Sequence, residues 1–370
     1  MHKVKIHTLF EYLLETTEAE PEAFIGFSLA QPPQLKDYLA DLDPELSLDW
    51  NGQDFRGLPA LRQNVLDRSA LDLPLESVLI TAGAAEANYL SLRQLVGPGD
   101  KIVTETPGWP QVRVMAEAIG AELIEVPRQE EEGWSLPLDA LEEAAEGAKL
   151  IFLTNPNNPT GRLIPEAELR EIAEIARRAD AWLLVDEVYA GLEWAGPRPP
   201  SIAGIYEKGI TTGSVSKALG LQGLRTGWMI CQDQGAIQDA FILRENASEI
   251  MNILGEVIAE IAMREDRYAA KLNDARSQAI STLEQLDRFV EAEPRLSWQK
   301  PEAGLIGLAR VDGIDGDSFA RRLLSEQRTF LLPGSSYGQP DHIRIGVGGG
   351  AAAKLDLGLE RMSALLKTLP

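Results

Sequence analysis

The chain has 370 residues, 44% of them hydrophobic and 25% charged, a balance that suits a globular protein of two domains with room for a buried site and excludes a disordered or fibrous one. With 35 basic against 57 acidic residues its net charge is −22, which repels nucleic acid and anionic membranes and obliges any phosphate to find a local positive pocket. One cysteine, Cys231, allows no intrachain disulfide; the three histidines lack metal-ligand spacing, so no metal site is expected; and no apolar run reaches the roughly 20 residues of a membrane span.

The amino terminus, MHKVKIHTLFEYLLETTEAE, turns acidic where a signal peptide would carry an apolar stretch and a cleavage site, so a cytoplasmic protein is expected. Between residues 75 and 229, short β-rich runs alternate with helical patterns. The strand candidates are SVLITAG, KIVTETP, AELIEVP, KLIFLTN, AWLLVDEV, GITTGSVS and TGWMICQ. Helical spacing covers 84–95, 109–119, 165–178 and 236–263, the last long enough to connect two domains. This is the βαβ rhythm of a mainly parallel sheet. After Arg267 a second long helix, 268–290, precedes short strands (GLIGLARV, HIRIGVG) and helices at 316–326 and 351–368, the pattern of a smaller α+β domain. The expected division is 1–50 packing with the small domain, 51–250 as the large ligand-binding domain, and 251–370 as connecting helix and small domain.

Four segments carry chemistry. In ITAGAAEANYL a strand breaks at Gly83 into a helix that begins near Ala84 and Ala85, small residues that let an anion approach backbone N–H groups. LTNPNNPTGRLIP is a tight turn after a strand, and Asn158 either shapes it or faces a ligand. In LLVDEVYAGL an apolar strand ends in Asp186, with Tyr189 three residues later. An acid there points into the crevice where α/β sheets bind ligands, or else caps the next helix. SVSKALGLQGLRTGW holds Ser214, Lys217 and, eight residues after the lysine, Arg225. Cationic neighbours and desolvation would lower the lysine pKa and make it an amine nucleophile, or else it is an exposed lysine at the end of a strand beside a helix-starting serine.

In this order the four segments resemble the pyridoxal-5′-phosphate (PLP) enzymes of fold type I, in the class I/II aminotransferase family, over roughly residues 25–349. The resemblance implies a large α/β domain, with a mainly parallel seven-stranded sheet between helices, and a smaller α+β domain. It implies a Schiff base between PLP and Lys217, which also shuttles the substrate proton; Asp186 pairing with the pyridinium nitrogen; and Asn158 and Tyr189 bonding the ring oxygen. Ser214, Arg225 and the backbone of Ala84 and Ala85 would hold the phosphate, and Trp109 would stack on the ring. Arg344, in HIRIGVG, would grip the substrate carboxylate with its planar fork or, read alone, be a solvated edge-strand arginine. Tyr337 and the loop containing Ala30 would line the substrate side.

Three departures stand out. Ala85 lies where relatives often carry a hydroxyl, and Ala30 where many carry glycine. LDWNGQDFRGLPALR offers Trp50 and Phe55, but no tyrosine, where relatives lend one to the neighbouring subunit. The implied activity is transfer of an amino group from an L-amino acid to a 2-oxo acid by a ping-pong route through pyridoxamine phosphate, in a homodimer with sites at the interface. A lyase, replacement enzyme or cyclase keeps the same cofactor and breaks a different bond. A non-catalytic ligand sensor fused to a DNA-binding module would want a basic amino-terminal extension, which this sequence lacks. Substrate selectivity falls to residues 27–34, 50–55 and Tyr337, with dicarboxylic, aromatic and basic side chains all open.

Overall fold

Strands buried on both faces should read as continuous apolar runs, and LIFLT and WLLV here do, whereas GITTGS is buried throughout despite two threonines and a serine. The computed structural model describes residues 4–16, 19–49 and 54–369; Trp50 lies outside them. Seven strands form the large sheet: β2 (Val78–Thr81), β3 (Lys101–Thr106), β4 (Glu122–Pro127), β5 (Ala148–Thr154), β6 (Trp182–Asp186), β7 (Gly209–Ser214) and β8 (Gly227–Cys231), following the short β1 (Ala23–Phe24). Their order is β2-β8-β7-β6-β5-β3-β4, with β8 antiparallel to both neighbours and every other pair parallel.

Alternate side chains of each strand enter opposite layers. Leu150 and Phe152 of β5 pack with α3 (Ala84–Leu95), α4 (Gln111–Ile119) and α7 (Gln234–Glu245), whereas Ile151 and Leu153 pack with α5 (Leu138–Ala145) and α6 (Glu166–Arg178). At the β2 edge, Val78 and Ile80 join α2 (Pro59–Arg68) and α8 (Ile253–Met263) in a further apolar cluster.

A second core surrounds the antiparallel sheet β12-β13-β10-β9, made of β9 (Leu296–Trp298), β10 (Ile306–Val311), β12 (Leu332–Pro333) and β13 (His342–Gly346). It packs on α9 (Glu265–Ala292), α10 (Gly316–Gln327) and α12 (Leu355–Leu366), which follows the single turn α11 (Gly349–Ala352). The amino-terminal segment joins this core: β1 pairs in parallel with β11 (Thr329–Phe330), and Leu9 and Tyr12 of α1 (Thr8–Thr16) are buried in the same cluster.

Two helix expectations are corrected. The stretch 236–263 is two helices, α7 and α8, because Asn252 caps a new start, its side chain accepting from the Gly255 N–H at 3.1 Å. The 28-residue α9 is instead the long helix that links the two cores. Likewise 351–368 breaks between α11 and α12. No helix among the described residues is long and apolar enough to cross a membrane.

Candidate active site

The carboxyl ends of β5, β6 and β7 lie side by side, and the residues there face a common crevice, as doubly wound sheets require. Asp186 ends β6, Ser214 ends β7 with Lys217 in the turn beyond, and Asn158 follows β5. The cavity they line holds about 220 Å³, and Tyr189, Arg225, Ala84, Ala85, Trp109 and Arg344 line it too. Residues from six chain segments thus meet at one place.

Burial and the positive charge of Arg344, then that of Arg225, draw the Lys217 amine down to about 8, with Asp186 opposing. Its Nζ donates to Ser28 Oγ at 3.3 Å, and the Tyr189 hydroxyl donates to the same oxygen at 2.8 Å. Burial pushes the Asp186 carboxyl up, against hydrogen bonds from Asn88 and Val188 and the charge of Lys217. Asn88 Nδ2 donates to Asp186 Oδ2 at 2.8 Å, while Asn88 Oδ1 accepts from Thr212 Oγ1 at 2.7 Å, so the amide is held from both ends. Asn88 sits one turn into α3 from Ala84, on the face turned toward the sheet, and that spacing was the only sequence signal for it.

At the other end of the cavity the first turn of α3 has no side-chain cap. Gly83 before it has φ +87°, and Arg225 lies across it, donating from Nη2 to Ala82 O at 3.0 Å and from Nη1 to Gln222 O at 3.2 Å. Gly227 lets this turn close on the sheet: a Cβ there would lie 2.6 Å from Gly83 C and 2.7 Å from Ala84 N.

Arg344, only 4% exposed, is held in β13. Its Nη1 donates to Asn158 Oδ1 at 3.2 Å and its Nη2 to Gly26 O at 2.8 Å, while Nε is buried without a partner. The Tyr337 ring lies 5.3 Å from the guanidinium carbon. Tyr337 and Ala30 do not line the cavity. Tyr337 is buried against Arg344, and the Ala30 N–H donates to Lys217 O at 3.2 Å, so each sits one layer behind a residue that does. The lining also includes Ser28, from the 27–34 loop expected on the substrate side, and residues that the motifs did not reveal: Asn88, and Leu9, Phe10 and Leu13 of α1. The α1 residues follow an apolar helical spacing, but nothing local in the sequence ties that helix to the crevice.

This donor set fits PLP. A buried carboxyl with a raised pKa lacks a cationic N–H partner, which a pyridinium supplies. The uncapped helix start beside Arg225 and Ser214 suits a phosphate. Among the described residues the buried Lys217 is the one amine on the cavity wall.

Comparison with known proteins agrees. Residues 49–362 match the family described as aminotransferase class I and II. The chain is 28% identical over 328 residues to the arginine–pyruvate transaminase AruH of Pseudomonas aeruginosa, covering 83% of this chain and 80% of that one. It is 28% identical over 277 residues to capreomycidine synthase of Streptomyces vinaceus, covering 74% and 70%. A crystal structure of a PLP-dependent aminotransferase from Streptococcus suis superposes with a TM-score of 0.90 at 26% identity, over 100% of this chain and 99% of that one. With its family matched over most of its length, the chain belongs to the PLP-dependent class I and II aminotransferases.

Proposed function

We propose that this protein moves the amino group of an L-amino acid to a 2-oxo acid in two half-reactions, a ping-pong scheme in which Lys217 carries both the cofactor and the substrate proton. The observation that supports this best is the meeting of a buried amine of lowered pKa (Lys217), a buried carboxyl (Asp186) and a buried guanidinium (Arg344) on one cavity.

PLP, when bound, supplies an aldehyde that condenses with amines and a ring that accepts the electron pair left at Cα. Asp186 would then accept from the ring N–H, Asn158 Nδ2 would donate to the ring oxygen, and the Tyr189 hydroxyl would donate to it on turning from Ser28 Oγ. Ser214, Arg225 and the amides at the start of α3 hold the phosphate, and Trp109 covers a ring face. Arg344 binds the α-carboxylate through two parallel N–H bonds and turns Cα toward Lys217. With a pKa of about 8, roughly a tenth of the Lys217 amine is neutral at pH 7, against less than about a thousandth at the ordinary lysine value, so a base is available for the Cα proton.

On this reading residues 51–250 hold the cofactor, 251–370 with the first 50 residues close over the substrate, and the protein works as a cytoplasmic homodimer. The family resemblance supports those parts. A second reading, cyclisation or elimination, is compatible with the same fold, since the PLP-dependent cyclase OrfR superposes on this chain with a TM-score of 0.89 at 24% identity. One experiment separates them. Incubated with an amino acid and no oxo acid, the PLP-loaded protein should release one equivalent of 2-oxo acid per site and stop. Sustained turnover, or release of ammonia, overturns transamination in favour of the second reading.

A further inference from the structure

We infer that the amino donor carries an uncharged, apolar side chain, bound against a wall formed by Leu9, Phe10 and Leu13 of α1 together with Phe27, Trp109 and Leu332. The inference rests on the proposed binding of the α-carboxylate by Arg344. Leu332 is the direct cross-strand partner of Arg344 in the β12–β13 pair, so their side chains leave the same face of the sheet about 5 Å apart. A carboxylate seated on Arg344 therefore has Leu332 beside its Cα.

The rest of the wall is continuous with Leu332. Leu332 and Leu9 are buried in one apolar cluster, with Phe27 and Trp109 packed against it. His7 bridges the helix to the wall, its ring 4.4 Å from that of Phe10 and 5.8 Å from that of Trp109, and burial lowers its pKa, so it stays neutral at pH 7. Phe10 is 49% exposed on a short surface helix, as expected of an apolar residue that caps a site rather than a core.

Charge bookkeeping points the same way. Among the described residues the cavity is lined by four charged groups only, Asp186, Lys217, Arg225 and Arg344. The first three are committed to the cofactor and the fourth to the α-carboxylate. Among this chain's described residues a side-chain carboxylate would find no further cation in the cavity, and a side-chain ammonium or guanidinium no further acid. Either would be stripped of water against aliphatic and aromatic surface without a counter-charge, which binding does not tolerate.

The test is calorimetric binding of unreactive acids to the PLP-loaded protein. 4-Methylpentanoate and 3-phenylpropanoate present an apolar tail; glutarate and 5-guanidinopentanoate present a charged one. The expected result is at least a tenfold tighter Kd for the apolar pair. Phe10→Asp should erase that preference, while Glu11→Gln, on the exposed side of the same helix, should leave it intact. Equal affinity across the four acids, tighter binding of either charged acid, or an unchanged preference in Phe10→Asp overturns the inference. The half-reaction described above is scored separately. If no amino acid yields a 2-oxo acid, transamination falls while the binding preference still decides the wall; if charged amino acids react as fast as leucine, the wall falls and transamination stands.

Discussion

Arg344 of the small antiparallel sheet and Asn158, in the turn after β5 of the large sheet, meet through an Nη1–Oδ1 hydrogen bond of 3.2 Å. The bond orients the amide: Oδ1 faces the guanidinium, which leaves Nδ2 as the donor turned to the rest of the cavity. The group proposed to hold the substrate thereby sets the direction of a group proposed to hold the cofactor, and each comes from a different core of the fold.

That coupling makes Arg344→Lys a severe change despite the conserved charge. Lysine cannot bond Asn158, Gly26 O and a carboxylate from one planar fork. The amino-acid kcat/KM should fall by roughly 10²-fold, the loss expected when a substrate is held about 1 Å from its productive position. Affinity for PLP, which other residues govern, should change far less. Steady-state kinetics beside a PLP titration of the apo form checks both, and an unchanged kcat/KM would remove Arg344 from the site.

Asn88 acts on Asp186 from behind. Asn88→Leu fills the space yet leaves Asp186 Oδ2 and Thr212 Oγ1 without their present partner, which should destabilise the fold by about 1–3 kcal/mol. The same hydrogen bond lowers the Asp186 pKa, so its loss lets burial drive that pKa higher still. The acid limb of the kcat/KM profile should therefore move to higher pH. A general loss of stability with an unmoved acid limb would mean that Asn88 only packs.

The proposed phosphate end depends on two glycines. A Cβ at Gly227 would press on backbone atoms, 2.6 Å from both Gly213 O and Gly83 C, and backbone cannot yield. A Cβ at Gly83 would lie 2.6 Å from Arg225 Nη2, which can swing aside, but φ +87° disfavours any side chain by about 1–3 kcal/mol. Both alanine variants should weaken PLP binding in the apo form, Gly83→Ala by on the order of tenfold and Gly227→Ala by more. Fluorescence titration with PLP measures this; wild-type affinity in Gly227→Ala would show that the start of α3 does not hold the phosphate.

The large sheet and most of the cavity were legible in the sequence because their signals are local. Apolar runs mark β5 and β6, and Asp186 and Ser214 stand at the ends of β6 and β7, with Asn158 and Lys217 in the turns after β5 and β7. What local pattern cannot carry is which element comes back to the crevice. Leu9 and Leu13 arrive there through tertiary packing of an amino-terminal helix. The helix break at 246–252 was hidden for a related reason. Apolar spacing runs through both halves, but α7 packs under β2 and β8 beside α3, and α8 packs with α2, so one periodic pattern serves two partners. Tyr337 sits in the 3-10 turn Gly334–Tyr337, where no period of two or 3.6 tells which way a ring points.

Glu187, next to Asp186 in sequence, turns away from the cavity and supplies a pH dependence of stability. Its Oε1 accepts from Ile202 N–H at 3.0 Å, Thr211 Oγ1 at 3.0 Å and Ser201 Oγ at 3.2 Å, yet burial outweighs these bonds and raises its pKa to about 7. The folded state therefore keeps a proton that the unfolded chain releases above its ordinary value of 4.5. The contribution of this group is full below about pH 4.5 and is lost as pH rises through about 7. A shift of that size corresponds to roughly 3 kcal/mol as an upper figure. Glu256, also raised to about 7 mainly by burial, acts in the same direction. Glu187→Gln keeps the accepting oxygen and removes the titration. Its stability relative to wild type should then improve by about 1–3 kcal/mol between pH 5 and pH 8, read as the change in denaturant midpoints at the two values. Because every other titrating group is common to both proteins, an equal difference at the two pH values would mean that Glu187 does not titrate in this window.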